Sequence, residues 1–198
     1  MRQTPSPQEL QRQFRVLRQT LEMHTQLRDR YARWSRIGKG ILIAASAVFI
    51  SMTFASGTFF ERLGLTVDNA RLLLGFASLV SFVCSVLLLV VDFDGKAARH
   101  ADATQRFARA IALFRRYRLA SGSWDESQAR KLSNAYWQAN ENSVSIPTKL
   151  FTNLKARYLL KVRISRLLDR APGCPLWLLS LYLRARDLRR AIQLARKE

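Results

Sequence analysis

Apolar residues recur at alternating intervals of four and three near the start of the chain, at Leu10, Phe14, Leu17, Leu21 and His24, and Tyr31 continues the series. That spacing keeps them on one face of an α-helix. Arg12, Arg15 and Arg18 fall largely on other faces, and Arg28 interrupts the apolar one. The pattern predicts an N-terminal amphipathic helix over residues 8–39, behind an unstructured leader, 1–7, in which Pro5 and Pro7 oppose helix. Its apolar face is narrow. It suits packing against the C-terminal region or another subunit better than lying on a membrane, the other role open to it.

The contrast then disappears. Gly40 to Phe60 (GILIAASAVFISMTFASGTFF) holds 21 residues and no charge, and Leu72 to Val91 (LLLGFASLVSFVCSVLLLVV) holds 20 more. A bilayer core is roughly 30 Å thick and a helix rises about 1.5 Å per residue, so each block can span once. Two buried core helices would need a soluble core that the rest of the chain is too polar to build. A secretory signal fits poorly, because the first block starts near position 40, behind a long polar and aromatic segment. Residues 61–71 then form a short loop with Gly64 at its turn, and 40–91 reads as a transmembrane hairpin with spans at 40–60 and 72–91.

Periodicity returns after the second block. Phe107, Ile111 and Phe114 share a face, so the second helix is expected to run on past the bilayer to about Leu119. Gly122 marks a turn. Ser123 or Asp125 caps a further helix to about Glu141, and Pro147 and Thr148 open another that ends near Arg170. Residues 92–170 are thus a helical region. In the tail, 171–198, Leu181, Ala185, Leu188, Ile192 and Ala195 recur at helical spacing among Arg184, Arg186, Arg189 and Arg190. Two roles fit this basic amphipathic tail. It can lie on the membrane with those four arginines on anionic lipid, or it can close the helical region by packing on it.

Charge sets an orientation. Of the 33 Lys and Arg and 14 Asp and Glu, residues 1–39 hold nine and three, 61–71 two and two, and 92–198 22 and nine, a net charge of +6, 0 and +13. Basic residues stay on the cytoplasmic side. Both termini are therefore expected in the cytoplasm. The fold class is an all-α membrane protein: a two-helix transmembrane hairpin with an N-terminal amphipathic helix and a cytoplasmic helical domain.

No catalytic constellation is recognisable. There is no Gly-rich phosphate loop, no metal-ligand spacing and no nucleophile elbow, so neither enzymatic activity nor a cofactor or metal is expected. Asp92 and Asp94 read as the point where the second helix leaves lipid, with Lys96 or Arg99 as partners. Cys84 and Cys174 suggest no disulfide framework. Orientation and anionic lipid account for the basic surface, whereas nucleic acid would need a recognition element, and none is recognisable.

Neither span carries Asp, Glu, Lys, Arg or His, which argues against a coupled transporter. Both carry small residues at helical spacing. Ala47, Ser51 and Ala55 are each four apart, and Leu74, Ser78, Ser81 and Ser85 follow at four, three and four with Gly75 adjacent. Small residues let helix backbones approach closely. The seam Ala47, Ser51, Ala55, Ser78, Ser81 and Ser85 therefore suits self-association, with a ring of hairpins around a pore as one outcome. Plain packing within one hairpin is the other.

This layout resembles the SLATT family, the SMODS- and SLOG-associating two-transmembrane effector domains. The resemblance covers about residues 10–170. It rests on the N-terminal amphipathic helix, the short-looped hairpin, and the stretches AARHADATQRFARAIALFRRYR (97–118) and SIPTKLFTNLKARYLLK (145–161) after it. The tail from Pro172 lies outside the pattern, and no residue motif transfers a site. The resemblance implies a homo-oligomeric effector that forms pores in, or disrupts, the bacterial inner membrane in anti-phage or conflict defence. It also implies a sensor protein or nucleotide-signalling partner as trigger. The alternative is a non-conducting membrane anchor or regulatory subunit that binds a cytoplasmic partner through its basic helices.

Overall fold

The computed structural model describes residues 5–55, 60, 66–120 and 125–195, with backbone alone at 67, 118–120, 190, 191, 194 and 195. Among the described residues the chain is all-helical, without a strand. The helices are α1 (Pro7–Thr53), α2 (Val67–Val91), α3 (Phe93–Ala120), α4 (Glu126–Glu141), α5 (Thr148–Leu168) and α6 (Leu176–Ala195).

Each start has a local cause. The Ser6 hydroxyl accepts from the Glu9 amide at 3.2 Å, and its carbonyl accepts from the Leu10 amide at 3.0 Å. Pro7 is thus the first helical residue, where an amide hydrogen is not needed and a fixed φ favours the helix. The 47 residues of α1 extend about 70 Å. Thr66 caps α2 through Asn69, and Asp125 caps α4 by accepting from the Glu126 amide at 2.8 Å.

The second apolar helix does run on past Val91, as α3 to Ala120, with one interruption: Asp92 sits in the left-handed region at φ 48° and separates α2 from α3. Its amide donates to the Leu88 carbonyl at 3.3 Å and closes α2. Its carboxylate accepts from the Gly95 amide at 2.9 Å and opens α3. One residue ends one helix and begins the next, and Asp tolerates the left-handed conformation better than most side chains do. The first apolar block also departs from a single helix over 40–60. Helix α1 ends at Thr53, Ala55 lies past that end, and 56–59, like Gly64 of the expected loop and Gly122 and Ser123 of the later turn, lie outside the described residues.

The chain divides into two compact units. One comprises Met1–His24 with Ala103–Glu198. Its core joins Leu10 and Leu17 of α1 to Phe107, Ile111 and Phe114 of α3 and to Ala129, Leu132 and Ala139 of α4. Phe14 stacks on Phe114 at 5.6 Å and His24 on Phe107 at 5.3 Å, so these two stretches run in opposite directions. Leu10, Leu17, Phe107 and Leu132 are fully buried, and side chains of this size each stabilise by about 1.5–3 kcal/mol. Lys161 of α5 pairs with Glu22 of α1 at 2.6 Å. Helix α6 packs on α5, with Leu183 buried and Arg163 paired to Asp187 at 2.5 Å.

The other unit comprises Thr25–Asp102. It holds the apolar part of α1, all of α2 and the first turns of α3. Tyr31 stacks on His100 at 5.6 Å and lies 6.4 Å from Phe93. A Cβ added at Gly38 would come within 2.8 Å of the Leu88 side chain. Rising numbers on α1 thus meet falling numbers on the other strand of helix.

Candidate functional site

Two helical stretches, α1 and Asp68–Tyr117, which takes in α2 and most of α3, are long and apolar enough to cross a membrane, and none of the most apolar part of either is buried. A core helix of a water-soluble protein would be covered. Here Ile43, Phe54, Leu72 and Leu89 stand open, with Phe54 85 % and Leu89 80 % exposed. Apolar surface on this scale is normal only where lipid or another helix covers it.

The less exposed positions of the two apolar segments fall on narrow stripes. On α1 the less exposed positions are Ser35, Gly38, Leu42, Ala45, Phe49 and Met52, and on α2 they are Ala70, Leu74, Ala77, Ser81 and Leu88. The α1 positions alternate at three and four, the knobs-into-holes repeat of paired helices. Glycine at 38 admits the Leu88 side chain at the closest point.

The sequence-derived seam divides against this frame. Ser81 lies on the facing stripe, next to Leu74 in register. Ser85 is exposed but stands on the same side as Ser81 and Leu88, at the mouth of a cavity lined also by Ser35 and Leu42. Ala47, Ser51 and Ser78 are exposed off these stripes, and Ala55 lies beyond the end of α1. Ala47 and Ser51 therefore do not hold α1 to α2. Ala47 and Ser51 instead extend a row with Gly40 and Ala44, all exposed, at spacings of four, three and four. That row covers only about 60° of the helix circumference at 100° per residue. Nothing lies within 4 Å of a Cβ added at Gly40. Gly40 and Ala44 are absent from the sequence-derived seam, although the same interval of four marks them. On α1 the Ser46 hydroxyl donates to the Leu42 carbonyl and the Ser51 hydroxyl to the Ala47 carbonyl, each at 2.9 Å within the helix.

A polar collar sits at one end of this apolar pair. Lys39 forms a short ion pair with Asp94, Arg99 lies 3.5 Å from Asp92, and Ser35 is buried beside them. Hydrogen bonds from Lys39 and from Ser35 hold the Asp94 carboxyl below its usual range. Burial, with Arg99 adding repulsion, holds the His100 imidazole below its usual range. A cavity of about 240 Å³ opens between Ser35, Lys39, Ser85 and Asp94. Asp92 does pair with Arg99, one of its expected partners. Asp94 pairs instead with Lys39, 55 positions away in sequence, which no local pattern indicates.

On α6 the four arginines expected on lipid are not equivalent. Arg184 and Arg189 are exposed. Arg186 is half-buried and lies over the Tyr182 ring at 5.9 Å. The Arg190 side chain lies outside the described residues.

No family model, no curated protein and no solved structure matches this chain.

Proposed function

We propose that the chain is an inner-membrane protein that spans the bilayer twice, with both termini in the cytoplasm, and that copies associate through the exposed row Gly40, Ala44, Ala47 and Ser51 to permeabilise the membrane as a defence effector. The carrying observation is that this row lies off the stripe by which α1 meets α2. A small-residue face left free on an apolar helix permits close approach of a further helix. The charges at residues 1–39, 61–71 and 92–198 give the orientation, and Lys39, Asp92, Asp94 and Arg99 supply a charged collar at the cytoplasmic boundary. The resemblance to the SLATT layout supports the effector role and a sensor or nucleotide-signalling partner as trigger.

A second reading is a non-conducting anchor that presents its basic helices to a cytoplasmic partner. The own-helix hydrogen bonds of Ser46, Ser51 and Thr53 favour it, because hydroxyls satisfied in this way need no water-filled path. Induced expression with the triggering partner, while membrane potential and dye entry are recorded, separates the two. The effector reading expects collapse of the potential with the protein at native levels. A triggered protein that leaves ion and dye permeability unchanged makes the chain an anchor.

A further inference from the structure

We infer that α6 is a second, peripheral membrane contact that lies on anionic lipid while remaining docked to α5. The inference rests on the two-span reading and adds a surface to it. One side of α6 is already occupied: Leu183 is buried and Asp187 is held by Arg163 of α5. The opposite side is apolar and open. Trp177, Leu181, Leu188 and Ile192 are all exposed, and they fall within about 60° of the helix circumference at 100° per residue. Arg184 and Arg189 flank that stripe on its two sides, and both are exposed.

Charge selects the occupant. Asp187 is the one acidic residue of α6, and its pairing to Arg163 draws it to the docked side. The open face therefore offers apolar and cationic groups only. An apolar stripe with a cationic rim matches the boundary of an anionic bilayer, where tryptophan sits at headgroup level and arginine reaches lipid phosphates. A second copy of the same face would bring Arg184 and Arg189 against their own equivalents, and like charges repel. The two roles that the tail's periodicity left open thus belong to two faces of one helix.

The test uses the full chain reconstituted in vesicles of phosphatidylcholine with phosphatidylglycerol. Cys84→Ala and Cys174→Ser remove the native thiols. An environment-sensitive fluorophore is attached through Leu188→Cys, or through Lys155→Cys on the exposed polar surface of α5 as reference. Quenching by a headgroup-level lipid nitroxide should be several-fold stronger at 188 than at 155, with 188 shielded from aqueous iodide. Removing Arg184 and Arg189 as glutamines should weaken that lipid contact roughly fivefold per charge. Iodide access at 188 equal to that at 155 overturns the inference, and so does lipid contact of equal strength in pure phosphatidylcholine. Disulfide-linked dimers through position 188 would assign the face to a second copy and overturn it as well. Alkaline carbonate extraction separates the two levels. Protein that resists extraction yet keeps 188 in water loses only this inference, whereas protein that is extracted loses the two-span reading too.

Discussion

The carboxylate of Asp92 accepts the amide of Gly95 at 2.9 Å, and a Cβ added at Gly95 would fall 2.0 Å from that same carboxylate. The cap and the glycine are therefore one device. Asp92 also takes φ 48°, a conformation that Asn shares readily and Ala does not.

Gly95→Ala should displace the cap and destabilise the start of α3 by about 1 kcal/mol. Asp92→Ala should cost roughly 1–2 kcal/mol, because it loses both the cap and the tolerance of positive φ. Asp92→Asn should cost less than either. Amide exchange at Phe93 to Lys96 in detergent micelles reads these differences, and equal protection in Asp92→Ala and the parent would contradict the assignment.

Acid should weaken the Thr25–Asp102 unit in two stages. Burial lowers the folded pKa of His100 from its usual 6.5. Its contribution is fully present above that value and is lost as pH falls from 6.5 through the lowered folded value. Asp94 carries the same sign further down, below 3.8. Thermal midpoints in detergent should fall between pH 7 and pH 5, and they should fall less in His100→Gln, which cannot titrate there. His24 is present in both proteins, so an identical slope would remove His100 from the account.

Substitutions in the apolar segments should separate two kinds of contact. Ser51→Leu and Ala47→Leu add bulk to the exposed row and should reduce cross-linking between copies several-fold while insertion survives, since Leu suits lipid at least as well. Ser81→Leu adds bulk on the stripe facing α1 and should disturb pairing within one chain instead, read as loss of a cysteine cross-link between α1 and α2. Phe82→Leu, on an exposed large side chain, should change neither. Intact oligomers in both Ser51→Leu and Ala47→Leu would remove the row from the assembly.

Why the sequence was legible in some places and not in others follows from contrast. Leu10, Phe14, Leu17 and Leu21 alternate with arginine, so the helix and its core face could both be read, and these four residues do belong to or pack on the buried cluster. Inside the apolar blocks almost every position is apolar. Burial against a partner helix and exposure to lipid then leave the same residue types, and spacing alone could not tell the stripe with Leu42 and Phe49 from the row with Ala47 and Ser51. The break at Asp92 was hidden for a related reason. The helical spacing on its two sides suggested continuity, and only the pairing of a capping Asp with a glycine three positions on records the turn. Helix α6 showed both of its faces in the sequence, but not that α5 takes one of them, since Arg163 and Asp187 are 24 positions apart.

The most direct measurement is a topology map of the full chain. A reporter active only outside the cytoplasm is fused after residue 65 or after residue 198, with a reporter active only in the cytoplasm as its complement. The two-span account predicts outside activity at 65 and cytoplasmic activity at 198. Cytoplasmic activity at both positions, or outside activity at 198, would contradict it.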